Sequence, residues 1–370
     1  RSLVLSEIIS ISRGQIFGTP EPFKLEAAQY LTSLQDSSLI TAWVGIGLIA
    51  GLMMVYSRLR TKPDFRARVS VESIITSLMV ICSLVAIFTT IGIVFSLVFE
   101  SLRFFTKVPF WEFLLGTNWE PQIALREDQV GGSGSFGWLP VLLGTIVVTF
   151  IAAIFAIPIG IATGIYMKEF AGKKARMVLK PILEVLAGVP TVVYGFFAIL
   201  TVAPALRSTA AAIGIGAAPN MALAAGGVMG VMLIPFISSF TDDSLNAVPR
   251  GLRDGSLALG ATQSETVLKV LFPAAIPGIV GGILLAISRA VGETMIVVMA
   301  AGLIATMTIN PLDSVTTITV QIVTMLIGDT AFDNPKTLSA FALGLMLFIV
   351  TLMLNVLALR IVRKYREMYD

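Results

Sequence analysis

The chain has 370 residues, 56% hydrophobic and 13% charged, with a formal net charge of +3, whereas soluble proteins average about 25% charged residues. A single cysteine, Cys82, and no histidine exclude an internal disulfide, an imidazole proton shuttle and the commonest metal ligand. The modest net charge invites no nucleic-acid reading, and no G-x-x-x-x-G-K-[S/T] phosphate loop is present, so ATP is not bound in that way.

Mean hydropathy is +0.89, and apolar stretches long enough to cross a hydrocarbon core about 30 Å thick recur along the chain. They are continuous rather than alternating, which predicts an all-α, polytopic membrane bundle and argues against a barrel. Residues 1–38 mix polar and apolar side chains, with a short helix expected near 25–34. A first span is expected at 39–56, followed by the basic run Arg58, Arg60, Lys62, Arg66 and Arg68. A second span covers 74–98. The polar segment 99–137 follows, with the aromatic-rich PFWEFLLGTNW and a flexible GGSGS. Spans at 138–166, 182–204, 221–240, 274–304 and 338–361 complete the set of seven. Between the last two, SVTTITVQIVTMLIG reads as an amphipathic helix lying at the membrane surface.

Cations set the orientation. If the 58–68 run faces the cytoplasm, that side carries seventeen Lys and Arg residues and the opposite side eight, with Arg289 alone inside a span. The loop between the fifth and sixth spans and the C-terminus are then cytoplasmic. The chain begins at Arg1 rather than methionine, and an N-terminus outside is unusual, so an upstream span is expected to be missing or trimmed. Trp111, Trp119 and Trp138 fall where interfacial anchors sit. Gly160/Gly164, Gly226/Gly230 and Gly278/Gly282 are small-x-x-x-small pairs that let helices approach closely. Pro158, Pro190 and Pro235 imply bent helices.

Two features carry function. Arg289 and Glu293 lie four residues apart, on one face if the helix is unbroken. Counted from Pro277, Arg289 is about 18 Å along the helix. A charge at that depth costs at least about 2.5–3.5 kcal/mol and requires a partner or an aqueous cavity. One reading is a self-satisfied pair that locks two helices. The other is that Arg289 lines a pathway and meets an anion, its guanidinium fork matching tetrahedral oxyanions, with Glu293 holding the fork between ions. The second feature is RDGSLALGATQSETVLKVLFP at 253–273, read as two short helices joined at a glycine. Pro249 suits the first turn of the first helix and Gly260 its left-handed cap. Thr262 and Glu265 form a capping box for the second helix, which Pro273 is expected to stop.

This elbow resembles the E-A-A-x3-G-x9-I-x-L-P loop of bacterial ABC importer permeases. Asp254-Gly255-Ser256 stands for E-A-A, Gly260 for the glycine, Val270 for the isoleucine and Phe272-Pro273 for Leu-Pro. The runs GVPTVVYGFFA at 188–198, GVMLIPFISSFTDD at 230–243 and SRAVGETM at 288–295 narrow the resemblance to the C-type permease of the phosphate importer, from about residue 70 onward. The resemblance implies a type I ABC importer core of six spans plus an extra N-terminal span. It divides the chain into residues 1–69 and a permease domain at 70–370 whose coupling loop is 242–273. It also implies a homologous second permease, two ATPase subunits gripping the elbow, a periplasmic phosphate-binding protein, no cofactor and no chemistry of its own. It places phosphate passage at Arg289 and Glu293, and ATPase coupling at Asp254, Gly255, Ser256, Gly260 and Pro273. Asp254 in place of Glu keeps the charge and shortens the reach. The expected setting is the bacterial inner membrane, with phosphate as the ion.

Alternatives are a permease for sulfate, molybdate or another solute, a secondary transporter and a membrane enzyme. A secondary transporter predicts an inverted hydropathy repeat and intramembrane acids for coupling ions. No such repeat is evident, and Glu293 has Arg289 beside it. An enzyme calls for clustered His, Asp or Glu near an interface, and this chain has no histidine.

Overall fold

The computed structural model describes residues 2–12, 21–60, 67–122, 134–327 and 333–366. Lys62 and Arg66 of the basic run, together with Arg13 and Arg126, lie outside them. Among the described residues, seven helices are long and apolar enough to cross a membrane, matching the number expected. The chain divides into two compact units, Arg1–Ile87 and Phe88–Asp370.

In the first unit, helix α1 (Ser2–Ser12) lies along α2 (Pro22–Arg60). Lys24 bridges them, its ammonium 2.8 Å from Glu7 and 3.3 Å from Glu21, and Ala28 is buried beneath. The short helix and first span expected separately are one helix. Ser33, Ser37, Ser38 and Thr41 turn their hydroxyls back onto carbonyls three or four residues earlier, so the polar stretch stays helical. At about 1.5 Å per residue the helix is longer than a bilayer is thick. Helix α3 (Ala67–Phe105) contains the second span and runs into the second unit.

The second unit is built on α5 (Leu139–Ile165) and α9 (Ala222–Ala247), packed side by side along their length. The glycine pairs do the work expected of them. A Cβ at Gly160 would lie 2.7 Å from Ile237, one at Gly164 2.6 Å from Thr241 and one at Gly226 2.8 Å from Ile151. Gly278 and Gly282 bring α12 (Phe272–Val291) onto Ser244 and Phe240 of α9 in the same way. Helix α15 (Pro335–Arg366) flanks α12.

Four expectations are corrected here. The span placed at 182–204 is broken at Val189–Pro190, where the chain is extended. It becomes α6 (Lys173–Gly188), with no buried residue, then α7 (Thr191–Phe197), a π-helical turn and α8 (Ala203–Ala212). The apolar helix is therefore Thr191–Ala212. The residue before a proline is driven out of the helical region, which explains the break. The surface helix expected from SVTTITVQIVTMLIG is instead α14 (Ile318–Leu326), with Ile318, Val320 and Gln321 buried. It is held by Thr145, whose hydroxyl accepts the Ile318 amide at 3.0 Å. Period 3.6 reports an apolar face and is silent on whether lipid or protein covers it.

Trp119 and Trp138 are core residues rather than interfacial anchors, while Trp111 is 67% exposed. Trp119 and Trp138 join Phe104, Phe113 and Phe136 in an aromatic cluster, edge-to-face apart from the stacked Phe113–Trp138 pair, where β1 (Trp119–Glu120) pairs with β2 (Ser135–Phe136) and α4 (Phe110–Leu115) packs. The Trp119 indole donates to Gln321 at 2.9 Å and that of Trp138 to the Leu114 carbonyl at 3.0 Å, so each polar tip is satisfied inside the cluster. The last correction concerns 274–304, which is not one helix. Helix α12 ends at Val291, and α13 (Met295–Ala300) starts after a break at Gly292–Thr294.

Candidate functional site

Arg289 lies just before that break and Glu293 within it, and the structure does not pair them. The α12 ladder stops two residues beyond Arg289, so the i,i+4 geometry expected of a continuous helix is absent. Glu293 turns inward, 9% exposed. Its Oε1 accepts the amides of Met295 at 3.0 Å and Ile296 at 3.3 Å, two of the orphan donors at the start of α13. Its carbonyl accepts the Thr319 hydroxyl of α14 at 2.8 Å. Glu293 thus joins three helices and does not hold the arginine fork.

Arg289 is exposed on the chain. Its guanidinium carbon stands 4.2 Å from the centroid of the Phe236 ring on α9, and among the described residues it has neither an ion pair nor a hydrogen bond. A ring beneath a guanidinium stabilises the positive charge and occupies its face, leaving the in-plane N–H fork unspent. Phe236 is also one wall of a cavity of about 330 Å³ between α6 and α9, lined by Lys180, Glu184, Asp242 and Asp243 among others. Asp242 is engaged by Arg176 of α6 at 3.0 and 3.3 Å. A larger cavity, about 760 Å³, lies beside the aromatic cluster and is bordered by Glu120, Gln321 and Lys336.

The elbow is built as its residues dictate. Helix α10 (Arg250–Ala258) starts after Pro249, which is its N-cap rather than its first residue. It ends in a Schellman turn: Ala261 donates to Ser256 at 3.2 Å and Gly260 to Leu257 at 3.0 Å. Gly260 has φ +87°, a conformation that only glycine adopts without strain. Helix α11 (Gln263–Thr266) opens with the capping box. Glu265 N–H donates to the Thr262 hydroxyl at 3.3 Å, and Thr262 N–H to the Glu265 carboxylate at 3.1 Å.

Pro273 does not stop this helix. A π-helical turn at Val267–Leu271 carries the chain from α11 into α12, and Pro273 falls in the first turn of α12, where its missing amide costs nothing. About 40 Å of nearly continuous helical path therefore joins Gly260 to Arg289 at 1.5 Å per residue. The face of the elbow carrying Asp254 and Gly255 is exposed, a side chain at Gly255 would meet open space, and Leu259 at the tip is 91% exposed. Ser256 turns toward the second helix, its hydroxyl 3.0 Å from that of Thr266.

One group was missed by sequence reasoning. Glu169 lies in a π-helical turn, Tyr166–Phe170, that continues α5. Its carboxylate pairs with Arg253 of α10, and its carbonyl accepts the side-chain amide of Gln263 on α11. The pair is 84 residues apart, and an acid beside Lys168 at a span end reads as solvated, so no local signal announces it.

Taken together, a glycine-packed bundle of membrane-crossing helices, an unpaired intramembrane cation and an exposed polar elbow define a multi-pass transport component. The chain belongs to the family of binding-protein-dependent transport system inner membrane components, whose model matches residues 156–367. Among known proteins it is 34% identical over 272 residues to a probable ABC transporter permease, YqgH, of Bacillus subtilis, covering 73% of this chain and 84% of that one. It is 31% identical to the phosphate transport system permease protein PstC 1 of Mycobacterium tuberculosis, covering 68% and 81% of the two chains. Its identity to the PstC of Mesorhizobium japonicum is 29%, covering 67% and 77%. Among solved structures, an inward-facing MetNI methionine ABC transporter chain aligns with a TM-score of 0.46 at 23% identity, covering 60% of this chain and 93% of that one.

Proposed function

We propose that this chain is the C-type permease of an ATP-driven phosphate importer, forming half of the translocation pathway beside a homologous second permease. Residues 70–370 are the permease domain and residues 1–69 an N-terminal addition. A binding protein delivers phosphate to the outer mouth, and two ATPase subunits grip the elbow through Asp254, Gly255, Ser256 and Gly260. The observation that carries this reading is the Arg289 fork, backed by Phe236 and free of any carboxylate. A bidentate site with no competing anion suits a doubly charged tetrahedral oxyanion. Glu293 serves by holding open the break that ends the helix just beyond Arg289. Similarity to proteins named for phosphate transport favours phosphate over sulfate or molybdate.

In proteoliposomes holding the assembled complex, Arg289→Gln is expected to lower phosphate uptake at least a hundredfold while the complex still assembles, and Arg289→Lys at least tenfold. Unchanged uptake in Arg289→Gln overturns the reading. The seventeen-to-eight distribution of cations supports a cytoplasmic elbow and C-terminus. A cysteine replacing the exposed Leu259, in a Cys82→Ser background, is then shielded from an impermeant thiol reagent added to intact cells. Ready labelling from outside reverses the orientation.

A further inference from the structure

We infer that Glu169 is the positioning residue through which movement of the elbow reaches the pathway. This rests on the proposed ATP-driven coupling and names where the force passes. By covalent connection alone, the elbow hangs from α9 and α12, jointed at the extended Val248 and at left-handed Gly260. Between those two joints α10 can rock without displacing its neighbours. Glu169 removes that freedom. One residue of α5 takes Arg253 on its carboxylate and Gln263 on its carbonyl, and these two partners lie on opposite sides of Gly260. Both arms of the elbow are therefore tied to a single point.

The tie is chemically stiff. The Glu169 side chain is fully buried, and its second oxygen, Oε2, is buried without a hydrogen-bond partner. A desolvated carboxylate with one cation has no alternative partner to exchange to, so it follows Arg253 wherever the elbow goes. The displaced α5 cannot slip along α9, because Gly160 and Gly164 seat it on Ile237 and Thr241. Helix α9 carries Phe236, which lies beneath Arg289. A continuous packed route thus leads from the elbow to the guanidinium, and each link is a contact between identified groups.

The test compares ATP hydrolysis with phosphate uptake in the reconstituted complex bearing Glu169→Gln, Arg253→Gln or both. The parts are expected to assemble and to hydrolyse ATP within about twofold of the parent. Uptake should fall at least tenfold, raising ATP consumed per phosphate by the same factor, with the double variant no worse than either single one. Uptake unchanged in both single variants overturns the inference, as does a parallel loss of hydrolysis and uptake. If Glu169→Gln fails to assemble, Arg253→Lys decides, since it keeps the charge and loses the fork, and it should still raise the ratio several-fold. A parent complex that takes up no phosphate defeats the substrate assignment and leaves this inference standing to a second measurement. Spin labels at Val231 and Leu285 then report the ATP-dependent change in the α9–α12 distance, which Glu169→Gln should abolish. A change of parental size overturns it.

Discussion

The elbow at Gly260 and the break at Gly292 interrupt one helical path about 48 Å apart at 1.5 Å per residue, and they are built on opposite principles. At the elbow the turn is closed by its own residues: the Schellman bonds, the capping box and a φ of +87° at Gly260. A Cβ added to that glycine would meet nothing beyond its chain neighbours within 4 Å, and Leu259 at the tip is 91% exposed. At the break the Gly292 and Glu293 amides close the end of α12, the Glu293 carboxylate opens α13, and the Glu293 carbonyl is bound by a separate helix, α14. Gly292 keeps a φ of −85°, Glu293 is buried, and its bonds run to α13 and α14. A turn that satisfies itself can be moved as a body by something outside. A turn satisfied by its neighbours holds those neighbours at fixed distances. The first is suited to a lever and the second to the frame around an ion.

The largest effect should come from the frame. Glu293→Ala leaves the Met295 and Ile296 amides of α13 without an acceptor while keeping the backbone carbonyl that holds Thr319, and is expected to cost about 2–4 kcal/mol, since each orphaned buried donor costs about 1–3 kcal/mol. Glu293→Gln retains an acceptor oxygen and should cost less than half as much. Thermal unfolding in mild detergent separates the two. Equal losses would mean that charge, not capping, holds the break, and the contrast with the elbow would dissolve.

Next in size is Gly260→Val. A β-branched residue at this φ costs about 1–3 kcal/mol, with no steric clash to add because the space is open. Unfolding of the bundle should therefore shift little, while phosphate uptake and ATPase co-purification both fall. A large drop in global stability with coupling intact would show that the elbow is structural. Thr262→Ala removes one cap of the same turn and should cost about 1 kcal/mol, with a proportionately smaller loss of uptake.

The two turns also differ in how far they could be read from residue order, for the same reason. The elbow's signals are local: Gly260, Thr262 and Glu265 sit at cap spacings, so its two helices were legible, although Pro273 proved to open a helix rather than close one. At 292–294 the residues Gly, Glu and Thr lie inside a long apolar run, where a helical period continues unchanged through them. What ties the break into the bundle is Thr319 of α14, 26 positions away. Arg289 stood out in the sequence because it is a charge inside an apolar span. Its ring partner was not, since Phe236 lies 53 positions away on another helix. Glu169 and Arg253 escaped for the same reason, and so did the burial of α14. Helix-forming and capping chemistry is written within a few residues, whereas pairings between helices depend on packing that no local pattern states.

The smallest change in stability, and the sharpest use of the contrast, is Leu259→Ser. The side chain touches little in this chain, being 91% exposed, and a surface substitution of this kind stays within about 0.5 kcal/mol. An apolar residue held at the apex of a rigid, self-capped turn is costly to leave in water and gains about 1.5–3 kcal/mol when a partner covers it fully. Leu259→Ser should accordingly leave unfolding of the isolated permease unchanged and weaken its retention of the ATPase subunits by roughly tenfold, as measured by co-purification at graded detergent or salt. If retention is unaffected, the tip is not in the partner's groove. The gripping face must then be the flank carrying Asp254 and Gly255, which would place the lever's fulcrum on α10 alone.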